Sequence, residues 1–428
     1  MRRRTLALGS VALLAAFIGN PADAAEPALP QGFSDEAMFD VANPTALAFT
    51  PDGRLLLSSQ AGRLYVIQNG VPLGGPALDL SNDVCSNRER GLLGLTVDPG
   101  FASNGYIYTY YTFRKHPCRN VNRQKVPVNR VTRFTMAPDS TVDPLSQKVI
   151  MDGIPSPYGW HDGGDLGFGA NGLLYVSTGD GSCQIDNPTR CQSLNNNSRR
   201  LRLPLGKILR VTPNGGVPEG NPFADDEKAR RCAGPRGPRP GTGPCKEVFA
   251  SGLRNPFRFA FEPGTNRFFI NDVGANAWEE VNRSRRGGDY GWNLREGPCK
   301  VGSYTTCPPP PKGMVDPYYA YRQSVTGCRA ITGGAFVPQG VWPDEYQGDY
   351  LFADFICGKI FRLERDASGA LSRVSPFATN LSLPSAIDLM FGPHQGGISL
   401  YYTTYADGGQ LRRIDYTADV DPPIVNGR

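Results

Sequence analysis

The chain has 428 residues, 20% of them charged and 39% hydrophobic, with 51 glycines, 38 prolines and a formal net charge of +5. That length excludes one small core, leaving two or three domains or a single large closed β architecture, and the Gly and Pro content favours many turns over long helices. Without Arg2, Arg3 and Arg4 the charge is roughly +2, and the aromatics show no basic-aromatic interleaving, so nothing marks a nucleic-acid binder.

At the N-terminus, "MRRRTLALGSVALLAAFIGNPADAAEP" has a basic start, an apolar stretch from Leu6 to Ile18 and a small-residue site at Ala22-Asp23-Ala24. The pattern predicts a secretory signal over residues 1–24 and a secreted or periplasmic mature chain; its apolar run is too short to span a bilayer, and no later run is apolar enough to do so. Ten cysteines then read as disulfides formed after export, with Cys183/Cys191, Cys232/Cys245 and Cys299/Cys307 close enough in sequence to staple loops. Metal binding is the competing reading, but no C-x-x-C spacing occurs.

Six segments share one pattern of a hydrophobic residue, a short turn and alternating strands. They begin at Ala46, Gly94, Asp165, Arg258, Gly333 and Asp388, and "GRLYVI", "GKILRV", "GKIFRL" and "GQLRRI" each close a unit. Short period-two strands in repeated units predict an all-β fold, a six-bladed β-propeller with long disulfide-stapled loops, formed by residues 25–428 as one domain. The excess length lies in loops 183–204, 218–246 and 296–330, where most cysteines also lie. "CAGPRGPRPGTGPC" is the one stretch with linker composition, and cysteines at both its ends make it read as a closed surface loop instead.

Propellers gather functional groups on the loops around the central channel. Arg88, Glu89 and Arg90 precede a buried strand, where they read equally as a solvated charged turn. His161, one of three histidines, stands in "GWHDGGDLGFG" beside Gly163 and Gly164, which permit close backbone approach to a ligand; a lone histidine is also often structural. Arg254 and Asn255 precede Pro256, which biases them toward extended backbone at a strand's start. Asp272, Glu279, Glu280 and Asp289 lie among glycine-rich turns and offer hard oxygens that suit calcium, without EF-hand spacing.

Together, "ERGLLGLTVDPGFASNGYIYTYYT", "HDGGDLGFGANGLLYVSTGD", "GKILRVTPNG", "GLRNPFRFAFEP" and "DVGANAWEEVNRSRRGGDYGWN" resemble the soluble quinoprotein sugar dehydrogenases. That family includes glucose, sorbosone and other aldose dehydrogenases using pyrroloquinoline quinone (PQQ), and hedgehog-interacting-like extracellular proteins. The resemblance runs over most of residues 40–415 and implies a six-bladed propeller. It also implies catalysis by His161 as general base and Arg254 as the arginine that polarises the quinone, with a sugar substrate and an external electron acceptor. The expected cofactor-binding set is Glu89, Arg90, Asn255, Arg329 and Lys359. Calcium is expected at the main-chain oxygens of Gly274 and Ala275, together with Glu280.

Three basic positions that hold the quinone's carboxylates in the family fall here on Ile356, Ser385 and Ile387, and a family glutamine becomes Glu89. Arg322, Arg329 and Lys359 are the available substitutes, although strand alternation would aim Lys359 away from the face of Ile356 unless a bulge intervenes. Two other readings follow. One is a non-catalytic extracellular binding propeller that has lost the cofactor. The other is a calcium-dependent lactonase-type hydrolase, which needs acidic residues converging on an axial ion, whereas here they cluster mainly in one loop.

Overall fold

A computed structural model describes residues 26–118 and 126–417. The expected secretory signal, residues 1–24, lies outside the described residues. Six four-to-five-stranded antiparallel sheets follow one another along the chain as the blades of a propeller. Their innermost strands are Pro44–Phe49, Leu92–Val97, Leu166–Phe168, Pro256–Phe261, Ile331–Phe336 and Leu389–His394. The alternating strands read from the sequence are there, and each blade adds a further outer strand that the repeat did not reveal. In the sixth blade that strand is Phe33–Asp40, paired antiparallel to Gln410–Tyr416, so the start of the described chain closes the ring against its end.

A single blade exposes two apolar faces, and stacking covers them. Leu93, Tyr110, Val131, Leu166, Val176 and Leu209 form one interblade core; Phe269, Tyr321, Ile331, Phe336 and Phe352 form another. Polar bonds near the axis then fix the angle between blades. Asp165 accepts the Phe259 N–H at 2.7 Å, Asp388 accepts the Leu47 N–H at 2.9 Å, and Thr332 donates to the Ala386 carbonyl at 2.7 Å.

All ten cysteines pair, Cys183–Cys191, Cys232–Cys245 and Cys299–Cys307 as expected, and also Cys85–Cys118 and Cys328–Cys357. Cys328, Cys357 and Asp354 lie together, but both sulfurs are in the disulfide and offer no thiolate to a metal. Among the described residues no helix is long and apolar enough to cross a membrane.

Candidate active site

The inner strands begin at one end of the axis, and Thr45, Leu93, Gly163, Phe257, Thr332 and Ile387, one per blade, line a cavity of about 280 Å³ there. Two residues further along each strand, Leu47, Leu95, Asp165, Phe259, Gly334 and Leu389 line a second cavity of about 290 Å³. The Arg258 guanidinium lies between the two. It donates to the Thr45 and Leu93 carbonyls at 2.6 and 3.2 Å and sits 3.4 Å from Asp388, so it floors the upper cavity.

His161 stands behind the cavity wall, between Trp160 and Gly163, which both line it. Its φ of 56° is left-handed, and Gly163 and Gly164 continue at 61° and 113°, a turn sharp enough to hold the ring at the strand mouth. The next hairpin supports it from behind. A Cβ on Gly179 would stand 2.0 Å from the His161 carbonyl oxygen, so only glycine permits this approach. Asp180 then reaches the ring, its Oδ1 2.7 Å from Nδ1. A carboxylate partner fixes Nδ1 as the protonated nitrogen and leaves Nε2 as the basic one.

Asp180 is fully buried and itself heavily held. Trp292 Nε1–H donates to its Oδ2 at 2.7 Å, the Ser182 N–H to its Oδ1 at 2.7 Å, and Asn195 and Asn197 both donate to its carbonyl. Below them Lys207, also fully buried, donates to the Ser198 and Leu205 carbonyls at 2.6 and 2.7 Å. Burial pushes the Lys207 ammonium down to about 7, while the two carbonyl acceptors favour its charged form.

Arg254 lies over the Trp292 ring, its guanidinium carbon 5.7 Å from the ring centroid. Nη1 donates to the Val273 carbonyl at 2.9 Å and Nη2 to Gln192 Oε1 at 3.3 Å. Nε is buried and has no acceptor among the described residues. As the Asn255-Pro256 step predicts, the strand starts at Pro256, and Asp272 accepts both the Arg254 and Asn255 N–H groups at 2.9 and 2.7 Å. Asn255 in turn accepts the Gly163 N–H at 3.1 Å and donates to Glu89 at 3.4 Å.

Glu89 lines the cavity and accepts the His161 N–H at 2.6 Å. Burial holds its carboxyl above the ordinary range, opposed by His161. Arg90, grouped with Glu89 in the expected cofactor-binding set, does not reach the cavity. Its guanidinium is buried and donates to the Ser156 hydroxyl and carbonyl, Asn87 and the Cys118 carbonyl, which holds the loop in place. Arg88 lines the cavity instead, 5.5 Å from the Trp160 ring.

The loop expected at calcium is wrapped around a residue that the sequence did not reveal. Glu296 Oε1 accepts the N–H groups of Ala275, Asn276, Ala277 and Trp278 at 2.8 to 3.2 Å. The Gly274 and Ala275 carbonyls accept no hydrogen bond from a described residue. Glu280 is turned inward, where its two oxygens accept from Gly297 N–H at 2.6 Å and Asn282 at 2.9 Å, and burial pushes it up to about 7. Both of its oxygens are thus engaged by the protein.

Ala330 and Phe355 line the fifth blade's share of the cavity, next to Arg329 and Ile356. Ile356 and Lys359 are not related by strand alternation, because residues 355–358 form a turn and Lys359 begins the following strand opposite Asp354. Arg329 is exposed and Lys359 half-buried, and neither side chain has a polar partner among the described residues. Arg322 is committed elsewhere, to the Tyr304 carbonyl at 3.0 Å and the Trp278 ring at 5.1 Å. Ile387 lines the cavity and Ser385 is fully buried, so neither supplies charge.

Asp180, Trp292, Glu296 and Arg258 were not singled out from the sequence. For Asp180 a signal existed in "STGDGS", an acid between two turn glycines; the others have none.

The chain is 26% identical over 425 residues to the HIPL2 protein of Arabidopsis thaliana, covering 82% of this chain but only 57% of that one. It is 27% identical over 259 residues to aldose sugar dehydrogenase YliI of Escherichia coli, covering 59% of each. The chain thus spans less than two thirds of the length of these two relatives. The PQQ-bound aldose sugar dehydrogenase structure from Streptomyces coelicolor superimposes with a TM-score of 0.64 at 21% identity, over 91% of this chain and 99% of that one, which shows the shared fold. The Glucose / Sorbosone dehydrogenase family pattern matches residues 41–382, and the chain belongs to that family.

Proposed function

We propose that this chain is a secreted quinoprotein dehydrogenase that oxidises an aldose-type sugar in the upper axial cavity, with PQQ and calcium as its cofactors. One observation carries the reading. A histidine oriented by a buried carboxylate and an arginine with an unpartnered, buried Nε are linked by one tryptophan, which donates to that carboxylate and packs against the guanidinium, beside a cavity of about 280 Å³.

The donor set fits the group. The Arg254 Nε offers a hydrogen bond to an oxygen gaining negative charge, the Gly274 and Ala275 carbonyls offer hard oxygens to calcium, and Arg88, Arg329 and Lys359 offer charge to carboxylates. Asn255 and Glu89 hold the loop between them. When bound, the quinone supplies the hydride acceptor. His161 Nε2 takes the proton of the sugar's anomeric hydroxyl, and Asp180 stabilises the imidazolium that forms. Because Trp292 bonds Asp180 and packs on Arg254, the base and the electrophilic group keep one spacing. Electrons leave to an external acceptor. Five disulfides suit maturation outside a reducing cytosol, in keeping with secretion.

The test is calorimetric binding of PQQ with calcium to the purified protein, followed by dye reduction with a panel of aldoses for wild type and His161→Ala. Tight calcium-dependent binding and sugar-dependent turnover lost in the variant are expected. No binding at high micromolar PQQ would instead favour a binding propeller without cofactor, the reading that Ile356, Ser385 and Ile387 in place of basic residues support.

A further inference from the structure

Among the described residues Glu89 is the one carboxylate on the wall of the upper cavity, and its surroundings are asymmetric. Oε2 is committed as an acceptor, to the His161 N–H at 2.6 Å and Asn255 Nδ2 at 3.4 Å. Oε1 has no partner among the described residues. A carboxylic acid in this position keeps Oε2 as acceptor and presents an O–H from Oε1, whereas the carboxylate presents only charge.

The groups around it carry both signs. Arg88 and Arg90 flank it in its own loop, and Arg90 is spent on Ser156 and Cys118. His161 and Asp162 face it from the third blade's entry loop and Arg254 from the fourth. Asp180 sits behind His161, and Arg258 forms the cavity floor. Asp162 is a like charge that raises Glu89, and its Oδ1 accepts from Asn129 at 2.9 Å. Ionised Glu89 therefore has one oxygen bonded and one without a partner among the described residues, and its charge opposes any anion that enters.

We infer that Glu89 couples occupancy of this cavity by an anion to the uptake of one proton, switching from a carboxylate to a hydrogen-bond donor toward the ligand. The inference rests on the quinoprotein reading for the identity of the natural anion, but not for the coupling. Burial holds the Glu89 carboxyl above its ordinary range, so the switch operates nearer neutrality than for an exposed glutamate. Linkage fixes the sign: affinity for the anion is full below the free-state titration of Glu89 and falls about tenfold per pH unit above it.

Two measurements test the coupling. PQQ binding in the presence of calcium is titrated calorimetrically at pH 8 in buffers of different ionisation enthalpy. Uptake of close to one proton is expected for wild type and close to none for Glu89→Gln, which binds with affinity nearly independent of pH. Equal proton uptake in the two proteins overturns the inference.

The second measurement follows the Glu89 carboxyl by carbon-13 NMR, identified by its loss in Glu89→Gln, with and without millimolar oxalate. A titration above the ordinary glutamate range that oxalate moves higher is expected. A titration in the ordinary range, or one that oxalate leaves in place, overturns the inference. Failure of PQQ to bind wild type would count against the quinone alone, because the oxalate arm still decides the role of Glu89.

Discussion

The cavity has two unlike halves. On the side built by the second, third and fourth blades, Glu89, His161, Asp180, Arg254, Asn255 and Trp292 are tied to one another by hydrogen bonds mostly between 2.6 and 3.4 Å. On the side built by the fifth, sixth and first blades the lining is uncharged and largely apolar, Thr45, Gln60, Ala330, Thr332, Phe355, Ile387 and Tyr405, with Arg329 nearby and unpaired among the described residues. Proton abstraction tolerates little misplacement, and dense buried networks are how proteins hold such geometry. Holding a ligand's charged periphery tolerates more. On the proposed function, the polar half carries the chemistry, and the largely apolar half sets which ligand stays and how tightly.

That contrast can be broken at graded strengths. Removing the base should cost most: His161→Ala is expected to lower kcat about 10³-fold with PQQ affinity retained, measured by steady-state dye reduction. Asp180→Asn keeps shape but loses the charge that orients the ring and supports the imidazolium, so kcat should fall about 10²-fold while KM stays near wild type. Lys207→Met removes the buried amine that bonds the Ser198 and Leu205 carbonyls under this loop, and should cost about 2 kcal/mol of stability at pH 8 in urea unfolding.

The same pair of proteins carries a pH signature. Burial pushes folded Lys207 down to about 7, whereas the unfolded chain holds its proton to about 10.4. Between those values the unfolded state binds more protons, so wild-type stability relative to Lys207→Met should rise with pH across that window and level off below about 7. A parallel pH dependence in the two proteins would contradict this.

The apolar half should respond more weakly. Ile356→Lys places a cation on a 45%-exposed position at the rim and should tighten PQQ binding about fivefold, without changing kcat. Arg329→Ala and Lys359→Ala should each weaken it about threefold, and less at high salt because these groups are screened. If either of these changes kcat as strongly as Asp180→Asn does, the division between the halves is wrong.

How much of this was legible in the sequence follows from distance along the chain. The inner and middle strands of each blade announce themselves by period-two patterning next to turn residues. The outer strands do not: Val71–Pro72 has two residues, and Leu371–Ala378 is largely exposed along its first half. Phe33–Asp40 finds its partner only at the other end of the chain. His161 and Arg254 were legible because each sits in a distinctive turn. Their supports were not, since Trp292 meets Asp180 across 112 positions and Glu296 caps its loop from about 20 residues away. The number of basic residues near the mouth was visible, but which of them are free was not: Arg90 and Arg322 are consumed by carbonyls and rings that only folding brings near.

The most direct test of the polar half as a working site is aldose-dependent dye reduction by protein loaded with PQQ and calcium, wild type beside His161→Ala. Turnover in wild type with a loss of about 10³-fold in the variant, at unchanged PQQ affinity, is the predicted result. Bound PQQ with no sugar oxidation, or equal turnover in the two proteins, would contradict it.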